Sequence, residues 1–272
     1  MKIRAGYEIS YACGQATPMI AMLSVHPSLS TELLSSDLMQ TNPIIPAKEY
    51  LDGFGNVCHV IHAPAGSITL SSDFLIHDSG TPDEVEFNAR QIPMENLPVE
   101  TLVCLLGSRY CETDRFSEFA WSQFGNYPKG WSLVQAICDY VHQHLQFGYH
   151  HASPMKTAWL AYEERKGVCR DFAHLAITLC RCMNIPARYC TGYLGDIGVL
   201  PDPAPMDFSA WFEVFLGDRW YTFDARHNTP RIGRILMARG RDATDVALST
   251  SFGPSQLTGF RIFTDEVRDG AS

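Results

Sequence analysis

The sequence predicts an α+β protein, with a core of helices packed on an antiparallel sheet preceded by an N-terminal β-sandwich-like domain. Three observations point there. Residues 1–100 hold short β-prone segments separated by turn clusters. Between 131 and 183 the apolar residues recur instead at the helical period. After 187 strand-like segments return, two of them joined through Gly217-Asp218 as a hairpin. A chain of 272 residues is long enough for two such domains, set here at 1–100 for the β-rich part and 101–272 for the core.

Each element has its own signal. Ile3 to Tyr11 alternates loosely, and Thr17 to Val25 is an apolar run suited to a strand buried on both faces. Asp52-Gly53-Phe54-Gly55-Asn56 is a turn cluster ahead of a strand from Val57 to Ile61, and Gly66 to Leu70 begins another. Residues 93–127 read as a proline-containing connection with a short helical piece around Val99–Leu106. Trp131 to Leu145 places Leu133, Val134, Ile137, Val141 and Leu145 on one helical face, with Ser132 as its N-cap. Thr157 caps a further helix through Glu164, which Gly167 ends. The next helix begins at Cys169, turns Phe172, Leu175, Ala176, Leu179 and Met183 inward, and closes at Asn184-Ile185-Pro186. Arg188 to Leu194 reads as a strand, and Phe208 to Leu216 with Arg219 to Asp224 as the hairpin. A last strand from Gly259 to Phe263 precedes a polar end expected to fray.

Composition narrows the function. A net charge of -9 and a pI near 5.5 argue against nucleic acid as partner, which needs a basic face. No stretch reads as a leader or a membrane span, so a cytoplasmic protein with no membrane partner is expected. Nine cysteines without a secretion signal imply free thiols in a reducing compartment. Cys180 and Cys182 lie within a helix and lack zinc-ligand spacing, and His59, His62 and His77 are scattered over strands. No metal and no cofactor is expected.

One stretch carries chemistry. In Gly167-Val168-Cys169-Arg170-Asp171 a cysteine sits in the first turn of a helix. There the helix dipole and the unpaired N–H groups favour the thiolate, the nucleophilic form. The same N–H groups suit the oxyanion of a tetrahedral intermediate. The hairpin adds geometry. With a two-residue turn, Leu216 faces Arg219, Trp211 faces Asp224 and Ser209 faces Arg226. Ser209, Trp211, Glu213, Thr222 and Asp224 then share one face.

Five motifs between 130 and 253 resemble the transglutaminase-like superfamily of papain-type cysteine enzymes, in particular its bacterial members. They are Gly-Val-Cys-Arg-Asp-Phe-Ala (167–173), Asn-Ile-Pro-Ala-Arg-Tyr (184–189), Thr-Gly-Tyr-Leu (191–194), Phe-Ser-Ala-Trp-Phe-Glu-Val (208–214) and Arg-Trp-Tyr-Thr-Phe-Asp-Ala (219–225). The resemblance implies a papain-like core with a Cys–His–Asp triad that attacks carboxamide or peptide bonds through an acyl-enzyme. Cys169 matches the family nucleophile and Asp224 its orienting acid, but the usual histidine position holds Ser209, and serine cannot serve as the base.

The base must then come from elsewhere. His227 follows Asp224 by three residues, and a turn forced by Asn228-Thr229-Pro230 would bring it round, so it is favoured over His174, His150 and His151. His174 lies five residues along the Cys169 helix, about 140° round it. Ser209, Trp211 and Arg226 are candidates for the substrate cleft, and Arg188 and Arg226 for holding a substrate carboxylate or for an internal ion pair. The proline-stiffened loop from Gly198 to Met206 is placed to form a cleft rim. The expected function is a cysteine hydrolase or acyltransferase acting on a peptide or protein substrate, with hydrolysis favoured because no calcium loop or amine tunnel is evident. The alternatives are a binding or scaffold protein that kept the fold and lost the base, and, with little weight for want of a Cys-x-x-Cys motif, a thiol redox protein.

Overall fold

The computed structural model describes residues 1–268. Six strands open the chain: β1 (Lys2–Cys13), β2 (Thr17–Ala21), β3 (Gln40–Asn42), β4 (Ala47–Leu51), β5 (Val57–Ala63) and β6 (Gly66–His77). Four helices follow, α1 (Thr113–Phe124), α2 (Trp131–His144), α3 (Ala158–Glu164) and α4 (Cys169–Cys182), with a short parallel pair of β7 (Gln146–Phe147) and β8 (Lys166–Gly167) between them. The chain ends in β9 (Ala187–Leu194), β10 (Ser209–Leu216), β11 (Arg219–Phe223), β12 (Arg234–Gly240), β13 (Ser249–Ser251) and β14 (Ser255–Val267).

The strand-rich region is two four-stranded antiparallel sheets, ordered β14-β1-β6-β3 and β13-β2-β5-β4. In β1 every second residue from Ile3 to Cys13 is buried, joining Met19, Ala21, Ile61 and Leu70 in one apolar core. Both sheets recruit strands from the far end of the chain. Lys2 pairs with Val267 and Ala21 with Ser249, so β14 runs four residues beyond the expected Phe263. The polar end after Phe263, expected to fray, instead continues β14 to Val267, and its last residues, 269–272, lie outside the described residues.

The third sheet, β11-β10-β9-β12, receives α4 on one face. The inward positions of α2 and α4 are buried as their period requires. Helix α4 ends as its sequence asks. Asn184 takes a left-handed φ of 60°, the Ile185 N–H donates to the Cys180 carbonyl, and Pro186 leaves the helix. Thr157 caps α3 through the Leu160 N–H.

Three expectations need correction. Residues 113–124 form α1 rather than a plain connection, burying Phe116, Ala120 and Phe124 at four-residue spacing. Helix α2 is entered through Gly130, not capped by Ser132. Gly130 has φ 99°, and an added Cβ would lie 2.4 Å from the Ala89 carbonyl oxygen that accepts the Trp131 N–H. Helix α3 stops at Arg165, itself left-handed at φ 54°, before Gly167 is reached.

Candidate active site

Helix α4 begins at Cys169, and its start is pinned by Asp171, whose Oδ2 accepts the Val168 N–H at 2.9 Å. The carboxylate needs room there: a Cβ on Gly167 would lie 2.6 Å from the Asp171 Cβ. Burial pushes the Asp171 carboxyl up to about 6, against the Val168 N–H that pulls it down.

The hairpin has the register that its two-residue turn dictates. Leu216 pairs with Arg219, Glu213 with Thr222 and Phe212 with Phe223. Pairing stops at Phe223. The chain then turns back on itself, with the Asn228 N–H donating to the Asp224 carbonyl at 2.8 Å and Asn228 left-handed at φ 52°. This turn brings His227 to the Asp224 side of the strand. Its Nδ1–H donates to Asp224 Oδ2 at 2.8 Å. Because an ionised carboxylate can only accept, Nδ1 carries the proton and Nε2 presents its lone pair.

Asp224 is held from four directions. Oδ1 accepts the N–H groups of Arg226 and His227 at 3.0 Å each, and Oδ2 accepts His227 and Arg234, the latter at 3.0 Å. Burial opposes ionisation of Asp224, but His227 and the Arg234 charge outweigh it and hold its carboxyl below the ordinary carboxylate range. Arg234 also pairs with Asp83 at 2.9 Å, making a buried ionic chain Asp83–Arg234–Asp224 behind the imidazole. Helix α2 clamps the turn itself. Asn228 donates to Asp139 at 2.8 Å, Gln135 donates to Asn228 at 3.0 Å, and His142 Nδ1 lies 2.9 Å from the Arg226 carbonyl. Arg234, Asp139 and His142 were not singled out in the sequence.

Cys169 and His227 line the same cavity, of about 360 Å³, together with Ser209, Arg226 and the 199–206 loop that forms its rim. Burial pushes the Cys169 thiol up to about 11. Asp207 and Asp224 add to that shift, while the Arg226 guanidinium and the Ala210 N–H pull the other way. That shift opposes the thiolate expected from the helix start. Cys169 is half-buried and lines the cavity, so a proton acceptor beside it would help to generate the nucleophile.

The remaining candidates separate clearly. Arg226 is half-buried, stacked on the Phe147 ring at 3.8 Å, within the cavity. Ser209 lines it too, 5% exposed, with an Oγ that has no hydrogen-bond partner among the described residues. Trp211 is 2% exposed and packs against Cys190 and Leu236, with Arg234 over its ring, so it is core and not a cleft wall. Arg188 is engaged by Glu213 and stacks on Trp220. His174 is fully buried between Tyr110 and Tyr189, its Nε2 accepting the Ala243 N–H at 3.1 Å, and burial pushes it down to about 3. His150 and His151 lie against each other in the turn before α3, their rings tilted by 54°, and neither lines the Cys169 cavity.

Residues 119–225 match the model of the transglutaminase-like superfamily. A solved structure from Cytophaga hutchinsonii, described as a putative cysteine protease, superposes with a TM-score of 0.84 at 27% identity, over 100% of this chain and 92% of that one. Among curated proteins, an uncharacterised protein of Mycobacterium leprae is 24% identical over 77% of each chain. Another from Mycobacterium tuberculosis is 28% identical over 72% of this chain and 68% of that one.

Proposed function

We propose that the chain, whose residues 119–225 match the transglutaminase-like superfamily, is a cysteine hydrolase or acyltransferase that acts on peptide or carboxamide bonds through a thioester on Cys169. The observation that carries this reading is the His227–Asp224 hydrogen bond of 2.8 Å, made by a histidine that shares a cavity with Cys169. Position 209, the usual place of the family histidine, is filled by serine, and His227 supplies the imidazole from the other side of the hairpin end.

The chemistry follows from a protonated thiol beside an imidazole that Asp224 orients. His227 Nε2 takes the thiol proton as the sulfur attacks the carbonyl carbon. The resulting oxyanion is held by the Cys169 N–H at the start of α4. The imidazolium returns its proton to the leaving nitrogen as the C–N bond breaks, which leaves the acyl group on sulfur. Water, deprotonated by the same Nε2, then attacks the thioester, and the thiol is restored. Asp224 fixes the tautomer and stabilises the imidazolium in both halves. Hydrolysis is favoured over crosslinking because the sequence carries no calcium loop of the EF-hand kind.

A second reading, a binding protein that keeps the fold without turnover, is favoured by Ser209 at the family's histidine position and by the high thiol. A peptide library analysed by mass spectrometry in the presence of cadaverine separates the possibilities. Cleaved products lost in Cys169→Ala support hydrolysis, and cadaverine adducts support transfer. Neither product, with intact peptide retained on the protein, supports the binding reading.

A further inference from the structure

Two cavities share Cys169 in their walls, and Asp207 and Phe208 also line both. Only the first contains His227. The second, of about 560 Å³, lies between the strand-rich region and the core. Its walls include Ile9 and Tyr11 of β1, Val246 and Leu248 of the loop before β13, and Leu257 and Phe260 of β14. Four of the polar side chains that border it are engaged within the fold, and Asp207 adds a carboxyl at its boundary with the first cavity. Tyr11 shares a hydrogen bond with Ser249 at 2.7 Å, Tyr110 donates to the Pro154 carbonyl at 2.6 Å, Thr191 donates to the Ser209 carbonyl at 3.1 Å, and Arg170 is held by the Ser153 carbonyl. An apolar group can enter without stranding these polar groups.

We infer that this second cavity is the acyl-side pocket, and that it takes the aliphatic or aromatic side chain of the residue whose carbonyl Cys169 attacks. The inference rests on the reading of Cys169 as nucleophile and His227 as its base. The leaving nitrogen must collect its proton from the imidazolium, so the leaving group lies on the His227 side of the sulfur. The acyl half must then extend to the other side, where the second cavity begins. Its apolar lining selects a hydrophobic residue there. It also gives the strand-rich region a direct part in recognition, since β1 and β14 supply one wall.

The test uses two electrophiles that differ only in this side chain, N-acetyl-phenylalanyl and N-acetyl-aspartyl vinyl sulfone, with iodoacetamide as a reporter of the sulfur alone. Each rate constant at Cys169 is divided by the same protein's iodoacetamide rate. Wild type should prefer the phenylalanyl probe about tenfold or more, the scale of burying one such side chain. Leu257→Asp and Phe260→Asp should abolish most of that preference. Both positions are more than a third exposed at 52% and 41%, so both variants should fold. Equal rates for the two probes with a reactive Cys169, or a preference untouched in both variants, would overturn the inference and leave the catalytic reading standing. A Cys169 inert to iodoacetamide would overturn both.

Discussion

Replacing Arg234 with methionine tests the ionic chain that holds the histidine. The Arg234 side chain is 7% exposed and its partners Asp224 and Asp83 are 3% and 14% exposed, so removal strands two carboxylates in a largely dry site. Breaking a buried pair costs about 3–5 kcal/mol, which for a chain of this size lowers the melting temperature by roughly 6–20 °C. The pH dependence is specific to the mechanism. In wild type the depressed Asp224 carboxyl contributes stability that is present above 3.8, its unfolded value, and is lost as pH falls through the folded one. Without the Arg234 charge the Asp224 carboxyl rises, so the variant's deficit is largest at neutral pH and shrinks as acid protonates the site. Urea unfolding of both proteins at neutral pH and near pH 4 reads this directly. A loss below about 1 kcal/mol, equal at both pH values, would refute the ionic account, since only an exposed, screened pair behaves that way.

Three further outcomes are expected. Asp171 is raised from 3.8 to about 6 by burial, so in that window the folded state binds more protons than the unfolded one and stability falls as pH rises, by about 3 kcal/mol in all. Asp171→Asn keeps an acceptor for the Val168 N–H and should flatten that slope in denaturant titrations across the window. Gly167→Ala places a methyl 2.6 Å from the Asp171 Cβ and should cost about 1–3 kcal/mol in urea unfolding. Arg226→Gln removes the charge that pulls the Cys169 thiol down, so alkylation at fixed pH should slow about two- to tenfold, visible by peptide mass mapping.

Much of the site was legible because local rules governed it. The apolar period of α4, with Gly167 before it and Asn184-Ile185-Pro186 after it, placed Cys169 at a helix start. The two-residue turn at Gly217-Asp218 set the hairpin register, and the proline after Asn228-Thr229 required the strand to end where His227 turns back. What was missed depends on contacts between distant segments. Arg234 reaches Asp224 from β12, which pairs with β9 and not with the hairpin, and no spacing in the chain announces that order. The depth of Cys169 was hidden for the same reason. A helix start reads as exposed, yet the segments packed around Cys169 leave it half-buried, and that burial opposes the expected thiolate. Trp211 lay on the right face by alternation, yet the side chains of Cys190, Leu236 and Arg234 enclose it.

The central claim is that His227 is the base for Cys169, and iodoacetamide alkylation across pH in wild type and His227→Ala tests it most directly. With burial holding the thiol near 11, reaction at neutral pH requires proton transfer to the imidazole. Wild type should therefore react about 10²- to 10⁴-fold faster than the variant at neutral pH. The His227→Ala rate should climb only as pH approaches 11. Superimposable profiles for the two proteins would contradict the account.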